Sequence, residues 1–157
     1  MSINVGSKAP DFSAMANGGK SISLNDYSGK WLVLYFYPKD NTSGCTKQAC
    51  GFRDNLESLK AMGAEVLGVS PDSAKSHDGF IEKQQLNFDL IADTEKTIAQ
   101  SYDAWGEKSM YGKKYMGIVR STYIINPNSD IVAVWKNVKV PGHVDAVKAK
   151  LIELQSA

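Results

Sequence analysis

Cysteine is scarce in this chain, with two among 157 residues, and so is net charge, with 18 Lys and Arg against 17 Asp and Glu. Two cysteines are too few to staple a disulfide-rich secreted scaffold. A balance of +1 gives no phosphate-tracking surface, so nucleic acid is not an expected partner. Long apolar runs are also missing. The longest, Trp31 to Tyr37, has seven residues against the roughly 20 that a membrane helix needs, so no membrane association is expected. The first residues carry neither the apolar core of a signal peptide nor an Arg-rich transit pattern, which points to the cytoplasm. Repeats, low-complexity stretches and Pro/Ser-rich linkers are absent, so residues 1–157 are expected to form one domain, long enough to bury a sizeable core unaided.

What is present alternates between two periods. Asp11 to Ala16 and Lys20 to Leu24 flank the turn signal Asn17-Gly-Gly19, predicting two short paired strands at the N-terminus. Trp31 to Tyr37, closed by Pro38, reads as a strand buried on both faces in the middle of a sheet. From Cys45 to Met62 the spacing turns helical, with Ala49, Phe52, Leu56 and Leu59 on one stripe and Gly63 as the stop. A strand over Glu65–Ser70, a helix over Ser73–Gln85, an extended piece over Phe88–Ala92 and a short helix over Glu95–Tyr102 follow. The Lys108–Lys114 stretch, with Tyr111 inside it and Tyr115 after it, reads as a solvated loop. Ser121–Ile125 and Asp130–Trp135 make a hairpin around Asn126-Pro-Asn-Ser129, and Val144, Val147, Leu151 and Leu154 give a last helix one apolar face. Strands alternating with helices predict an α/β fold, and the late hairpin makes its central sheet mixed.

The chemistry concentrates in Tyr37-Pro-Lys-Asp-Asn-Thr-Ser-Gly-Cys-Thr-Lys-Gln-Ala-Cys-Gly51. Cys45 falls where a buried strand ends and a helix begins, beyond the carboxyl end of the strand, where open α/β sheets place their sites. A sulfur in the first helical turn faces unpaired N–H groups and the positive end of the helix, which favour the nucleophilic thiolate. Cys50 lies five residues on. On a regular helix the two Cα atoms are roughly 8.7 Å apart and their side chains point about 140° apart, whereas a disulfide needs no more than about 7 Å. The two sulfurs therefore either never bond, Cys50 being a small core residue, or bond only when the first turn unwinds. A structural zinc site lacks its second ligand pair, since His77 and His143 lie far off without ligand spacing. A C-x-x-C dithiol motif is also missing.

Pro38-Lys-Asp-Asn-Thr42-Ser-Gly-Cys45 resembles the P-x-x-x-T-x-x-C signature of peroxiredoxins. The continuation to Cys50-Gly-Phe-Arg-Asp is similar to the peroxiredoxin Q, or bacterioferritin comigratory protein, group. The resemblance extends to Gly6-Ser-Lys-Ala-Pro-Asp-Phe12, Val69-Ser-Pro-Asp72 and Gly117-Ile-Val-Arg-Ser-Thr-Tyr123, and so spans nearly the whole chain. One departure is Ser43, where the group commonly has proline. The resemblance implies a thioredoxin-like fold with an N-terminal hairpin extension. It implies a peroxidase that reduces hydrogen peroxide and organic hydroperoxides without metal, flavin or haem. Cys45 then attacks the hydroperoxide and becomes a sulfenic acid. Cys50 resolves it as an intramolecular disulfide, and thioredoxin or a similar dithiol protein restores the thiols. Thr42, Arg120, Pro38 and the backbone of Gly44 and Cys45 are the implied substrate-binding groups. Arg120, one of two arginines, supplies a permanently charged fork of donors. The group is often monomeric, and a monomer is expected.

Two other readings keep the fold: a peroxide-sensing redox switch, and a thiol–disulfide oxidoreductase acting on proteins. Arg53 is expected to pair with Glu57 one turn on. His143 is read as the start of the last helix, His77 likewise as non-catalytic, and Trp31, Trp105 and Trp135 as packing residues.

Overall fold

The apolar run at Trp31 becomes a strand whose two sides feed two different cores. In the computed structural model, residues 3–156 are described, with the order β1 (Ser13–Met15), β2 (Ser21–Ser23), β3 (Trp31–Phe36), α1 (Ser43–Ala61), β4 (Ala64–Ser70), α2 (Ala74–Gln84) and β5 (Asp89–Ala92), continuing with α3 (Thr97–Ser101), β6 (Trp105–Met110), β7 (Lys113–Ile118), β8 (Ser121–Ile125), β9 (Ile131–Trp135) and α4 (His143–Gln155). The central sheet runs β5-β4-β3-β8-β9. β3, β4 and β5 are parallel, β8 pairs antiparallel with β3 and β9 pairs antiparallel with β8, giving the expected mixed sheet.

Alternation along β3 sets the layers. Leu32, Leu34 and Phe36 join one buried cluster with Leu67, Val69 and Ile91, closed over by α3 and the N-terminal segment through Ile98, Ala99, Phe12 and Ile22. Val33 and Tyr35, with Tyr37 beyond the strand, join the other with Ala49, Phe52 and Leu56 of α1, Phe80 of α2 and Val147 and Leu151 of α4. Successive side chains of a strand point to opposite faces, so one continuous apolar run serves both. Each fully buried Leu or Phe contributes about 1.5–3 kcal/mol. α1 carries its stripe as predicted and stops at Gly63, whose φ of 76° lies in the left-handed region.

The Lys108–Lys114 stretch departs from the expected loop. β6 and β7 pair from Trp105↔Ile118 to Met110↔Lys113 around a turn in which Tyr111 and Gly112 both have positive φ. A two-residue turn with both centres left-handed matches the twist of a hairpin. Much of this hairpin is exposed on both faces, with Glu107, Ser109, Lys113, Lys114, Tyr115 and Met116 in solvent, so apolar alternation could not announce it.

Candidate active site

Antiparallel pairing of β8 with β3 sets Ser121 opposite Phe36. Arg120, the residue before β8, therefore arrives where β3 ends and α1 begins, 75 residues of chain away from Cys45. Its Nη2 donates to Cys45 Sγ at 3.3 Å, and its Nη1 donates to Gln48 Oε1 at 2.6 Å. The Val138 N–H holds the Arg120 carbonyl at 2.9 Å, tying its backbone down. Cys45 is the third residue of α1 and only 1% exposed. The buried sulfur thus faces a helix N-terminus and a permanent cation together. Gly44 leaves space for that cation, since a Cβ there would stand 3.4 Å from Arg120 Nη2.

Gln48 was not anticipated. It is fully buried, one turn beyond Cys45, and its side-chain oxygen fixes the second arm of the guanidinium. The available signal was its place on the buried stripe of Cys45, Ala49 and Phe52, where a polar residue needs a partner. Its Nε2 has no hydrogen-bond partner among the described residues.

Thr42 is the N-cap residue, but its side chain does not cap the helix. The hydroxyl donates to the Lys39 carbonyl at 2.9 Å, leaving its lone pairs free to accept. Ser43 occupies the first helical position, where a proline is also accommodated because the N–H there has no intrahelical partner. Pro38 and Arg120 line one cavity of about 530 Å³ with Lys108, Val119 and Lys139. Lys108, read from sequence as part of a solvated loop, is a wall of this cavity instead. It donates to the Ile118 carbonyl at 2.8 Å, and burial, with Arg120 adding to it, holds its pKa below the usual lysine value.

Cys50 stays apart from Cys45. Both cysteines are free, and α1 is unbroken across them. Cys50 is half-buried, with Sγ donating to Gln84 Oε1 at 3.6 Å. Arg53 does not pair with Glu57. It bonds Asp54 at 2.9 Å and donates to the Gln84 carbonyl at 2.6 Å, so its fork is taken by its neighbour and by the end of α2. Beneath α1 the Tyr35 ring stacks on Phe52 with centroids 4.8 Å apart. Burial first, and then Cys45, push its phenol well above the usual value. His143 does begin α4. Its Nε2 lies 2.8 Å from Thr122 Oγ1, and burial, followed by Arg120, lowers its pKa to about 4.

One group among the described residues brings metal-type ligands together: Asp40, Asp72 and His77. Both ring nitrogens of His77 are already engaged, Nδ1 by Asp40 at 2.7 Å and Nε2 by the Ile91 carbonyl at 2.8 Å. The group is a hydrogen-bond network rather than an open coordination site.

A thiol at a helix N-terminus under a bridging guanidinium, on a mixed α/β sheet, defines a thiol-dependent redox protein. Residues 5–134 match the AhpC/TSA family. Peroxiredoxin Bcp of Bacillus subtilis is 47% identical over 144 residues, covering 92% of each chain, and Peroxiredoxin Bcp of Xanthomonas campestris is 45% identical over 141 residues, covering 90% and 88%. The solved structure of the Xanthomonas campestris bacterioferritin comigratory protein, described for its alkyl peroxide reduction activity, superposes with a TM-score of 0.90 at 41% identity, covering 96% of this chain and 98% of that one. A cysteine mutant of Xylella fastidiosa PrxQ superposes with a TM-score of 0.91 at 40% identity, covering 99% and 98%. The chain therefore belongs to the AhpC/TSA family and, within it, to the peroxiredoxins of the Bcp or Q group, thiol-dependent peroxidases with a thioredoxin-like fold.

Proposed function

We propose that Cys45 is the residue that attacks the hydroperoxide and that Cys50 resolves it. The observation that carries this reading is the Arg120 Nη2 to Cys45 Sγ contact at 3.3 Å, with the other arm of the same guanidinium fixed on Gln48. The Cys45 thiolate attacks the terminal oxygen of ROOH. A sulfur–oxygen bond forms, the O–O bond breaks, and the leaving RO⁻ takes up a proton to give water or an alcohol, while Cys45 is oxidised to the sulfenic acid. Arg120 and the N–H groups of the first turn of α1 are the donors beside the place where charge moves from sulfur to oxygen, and fixed donors aimed at developing charge lower such barriers. The Thr42 hydroxyl, its hydrogen given to Lys39, accepts from the hydroperoxide O–H. The cavity flanked by Pro38 and Arg120 is the approach for the hydroperoxide.

Resolution then needs movement. The first turns of α1 unwind, Cys50 leaves Gln84, and its sulfur displaces water from the sulfenic acid to give the Cys45–Cys50 disulfide. The S–H to Gln84 bond at 3.6 Å is a weak restraint, suited to repeated release. A dithiol protein of the thioredoxin type attacks the disulfide, passes through a mixed disulfide and leaves with the oxidising equivalents. With both cysteines in one chain, the cycle closes in a cytoplasmic monomer.

Rapid mixing of the reduced protein with hydrogen peroxide, followed by intact-mass analysis, tests the assignment. Cys45→Ser is expected to abolish peroxide consumption. Cys50→Ser is expected to allow one oxidation of Cys45 and then stop without an intramolecular disulfide. Peroxide consumption by Cys45→Ser at the wild-type rate would remove Cys45 from the chemistry.

A further inference from the structure

The loop that carries Pro38 and Thr42 is held from an unexpected side. Asp40, between them, has its carboxylate buried, with a side-chain exposure of 1%. Oδ1 accepts from the Tyr37 hydroxyl at 2.6 Å, and Oδ2 accepts from Ser76 Oγ at 2.8 Å and meets His77 Nδ1 at 2.7 Å. The His77 ring, also fully buried, points Nε2 at the Ile91 carbonyl at 2.8 Å. A carbonyl oxygen only accepts, so Nε2 carries a hydrogen, and the remaining ring nitrogen shares a proton with Asp40. The Asp40 N–H donates to Asp72 Oδ2 at 2.8 Å, and Asp72 in turn takes the Ser70 hydroxyl at 2.7 Å. The backbone and carboxylate of Asp40 are thus fastened to α2, to β5 and to the end of β4.

We propose that His77 is a positioning residue for the peroxidase reaction, acting through Asp40 on the loop that presents Thr42 and leads into Cys45. This rests on Cys45 being the attacking residue. The physical reason lies in the contrast along one helix. α2 touches the moving region twice, at His77 and, seven residues on, at Gln84, so two turns of α2 separate the two contacts. The Asp40 end is a buried network of short charged and neutral hydrogen bonds, which resist exchange with water. The Cys50 end is one long sulfur contact. When the first turns of α1 unwind, the Asp40 clasp stays closed and the Cys50 contact opens. After each turnover Thr42 and the start of α1 are then rebuilt against Arg120 from a fixed anchor. Displacement of a reacting group by about 1 Å costs up to roughly a hundredfold in rate, so a loose anchor shows first in peroxide attack.

The test isolates that step in a Cys50→Ser background, where Cys45 oxidation by hydrogen peroxide is the one event observed by rapid quench and intact mass. His77→Ala is expected to lower the second-order rate constant at least tenfold, at a temperature where circular dichroism shows the fold intact. His77→Asn places an amide N–H toward Asp40 and is expected to recover the rate to within about threefold. Ser76→Ala, which removes one half-buried donor and leaves the histidine, is expected to slow oxidation about threefold and guards against a His77→Ala chain that fails to fold. A wild-type rate in His77→Ala would overturn the proposal. So would a slow His77→Ala that His77→Asn does not rescue, or Ser76→Ala at the wild-type rate if His77→Ala does not fold. Failure of the Cys45 assignment is visible separately, as absence of Cys45 oxidation in the chain bearing only Cys50→Ser.

Discussion

Arg120 does two things with one side chain, and that makes its shape as important as its charge. Its guanidinium spans Cys45 Sγ at 3.3 Å and Gln48 Oε1 at 2.6 Å through two different nitrogens. An ammonium is a single point with no fork, so a lysine can satisfy the buried Gln48 or the sulfur but cannot hold the same angle to both. Arg120→Lys is therefore expected to keep the fold and reduce the second-order rate of Cys45 oxidation by roughly a hundred- to a thousandfold, the range associated with losing one aimed donor. Stopped-flow measurement with hydrogen peroxide reads this directly, and an unchanged rate constant would mean that charge alone is enough. That Arg120 reaches Cys45 was implied by the family resemblance. Gln48 was not, because its role depends on a contact made across 72 residues of sequence.

At the level of elements, α1 serves both as a packing helix and as the part that must open. Gly51, directly after Cys50, has a packing duty between the two helices. A Cβ at Gly51 would stand 2.9 Å from Val144 Cγ2, so the glycine lets α4 press closely on α1. Alanine would gain up to about 1 kcal/mol of helix propensity at this position. Against that, Val144 is β-branched, with few alternative rotamers, and overpacking of this kind costs about 1–3 kcal/mol. The second effect is the larger. Gly51→Ala is expected to lower stability by about 1 kcal/mol, measured as a lower urea midpoint with an unchanged slope. A raised midpoint would show that α4 is not tightly seated there. The same elements show what sequence could and could not deliver. α1, β3 and α4 were legible because their apolar residues repeat at 3.6 or run unbroken, and Gly63 ends α1 where predicted. The β6–β7 hairpin was not, since both its faces are largely exposed, so no apolar alternation marks it, and its pairing is set by the left-handed backbone at Tyr111 and Gly112.

For the molecule as a whole, the sheet topology brings together segments that sequence inspection treats separately, and one result is a buried titratable group outside the chemistry. From sequence, His143 is an ordinary start to the last helix. In the fold it is 5% exposed, packed edge-on to Trp135 with ring centroids 5.6 Å apart and hydrogen-bonded to Thr122. Burial first, and the Arg120 charge second, lower its pKa from 6.5 to about 4. The unfolded chain therefore binds a proton at a higher pH than the folded one, and protonation pulls the equilibrium toward unfolding. The contribution of neutral His143 to stability is fully present above about pH 6.5 and is lost as the pH falls toward about 4, below which both states carry the proton and the loss levels off. Integrated from about pH 7 to about pH 5, where few carboxylates yet titrate, the loss is on the order of 2 kcal/mol. His143→Gln keeps a polar group toward Thr122 and removes the titration. Urea unfolding at several pH values across that window is expected to show a falling midpoint for the wild type and a flatter profile for the variant. Parallel profiles for the two chains would show that the proton uptake driving acid instability belongs to another group.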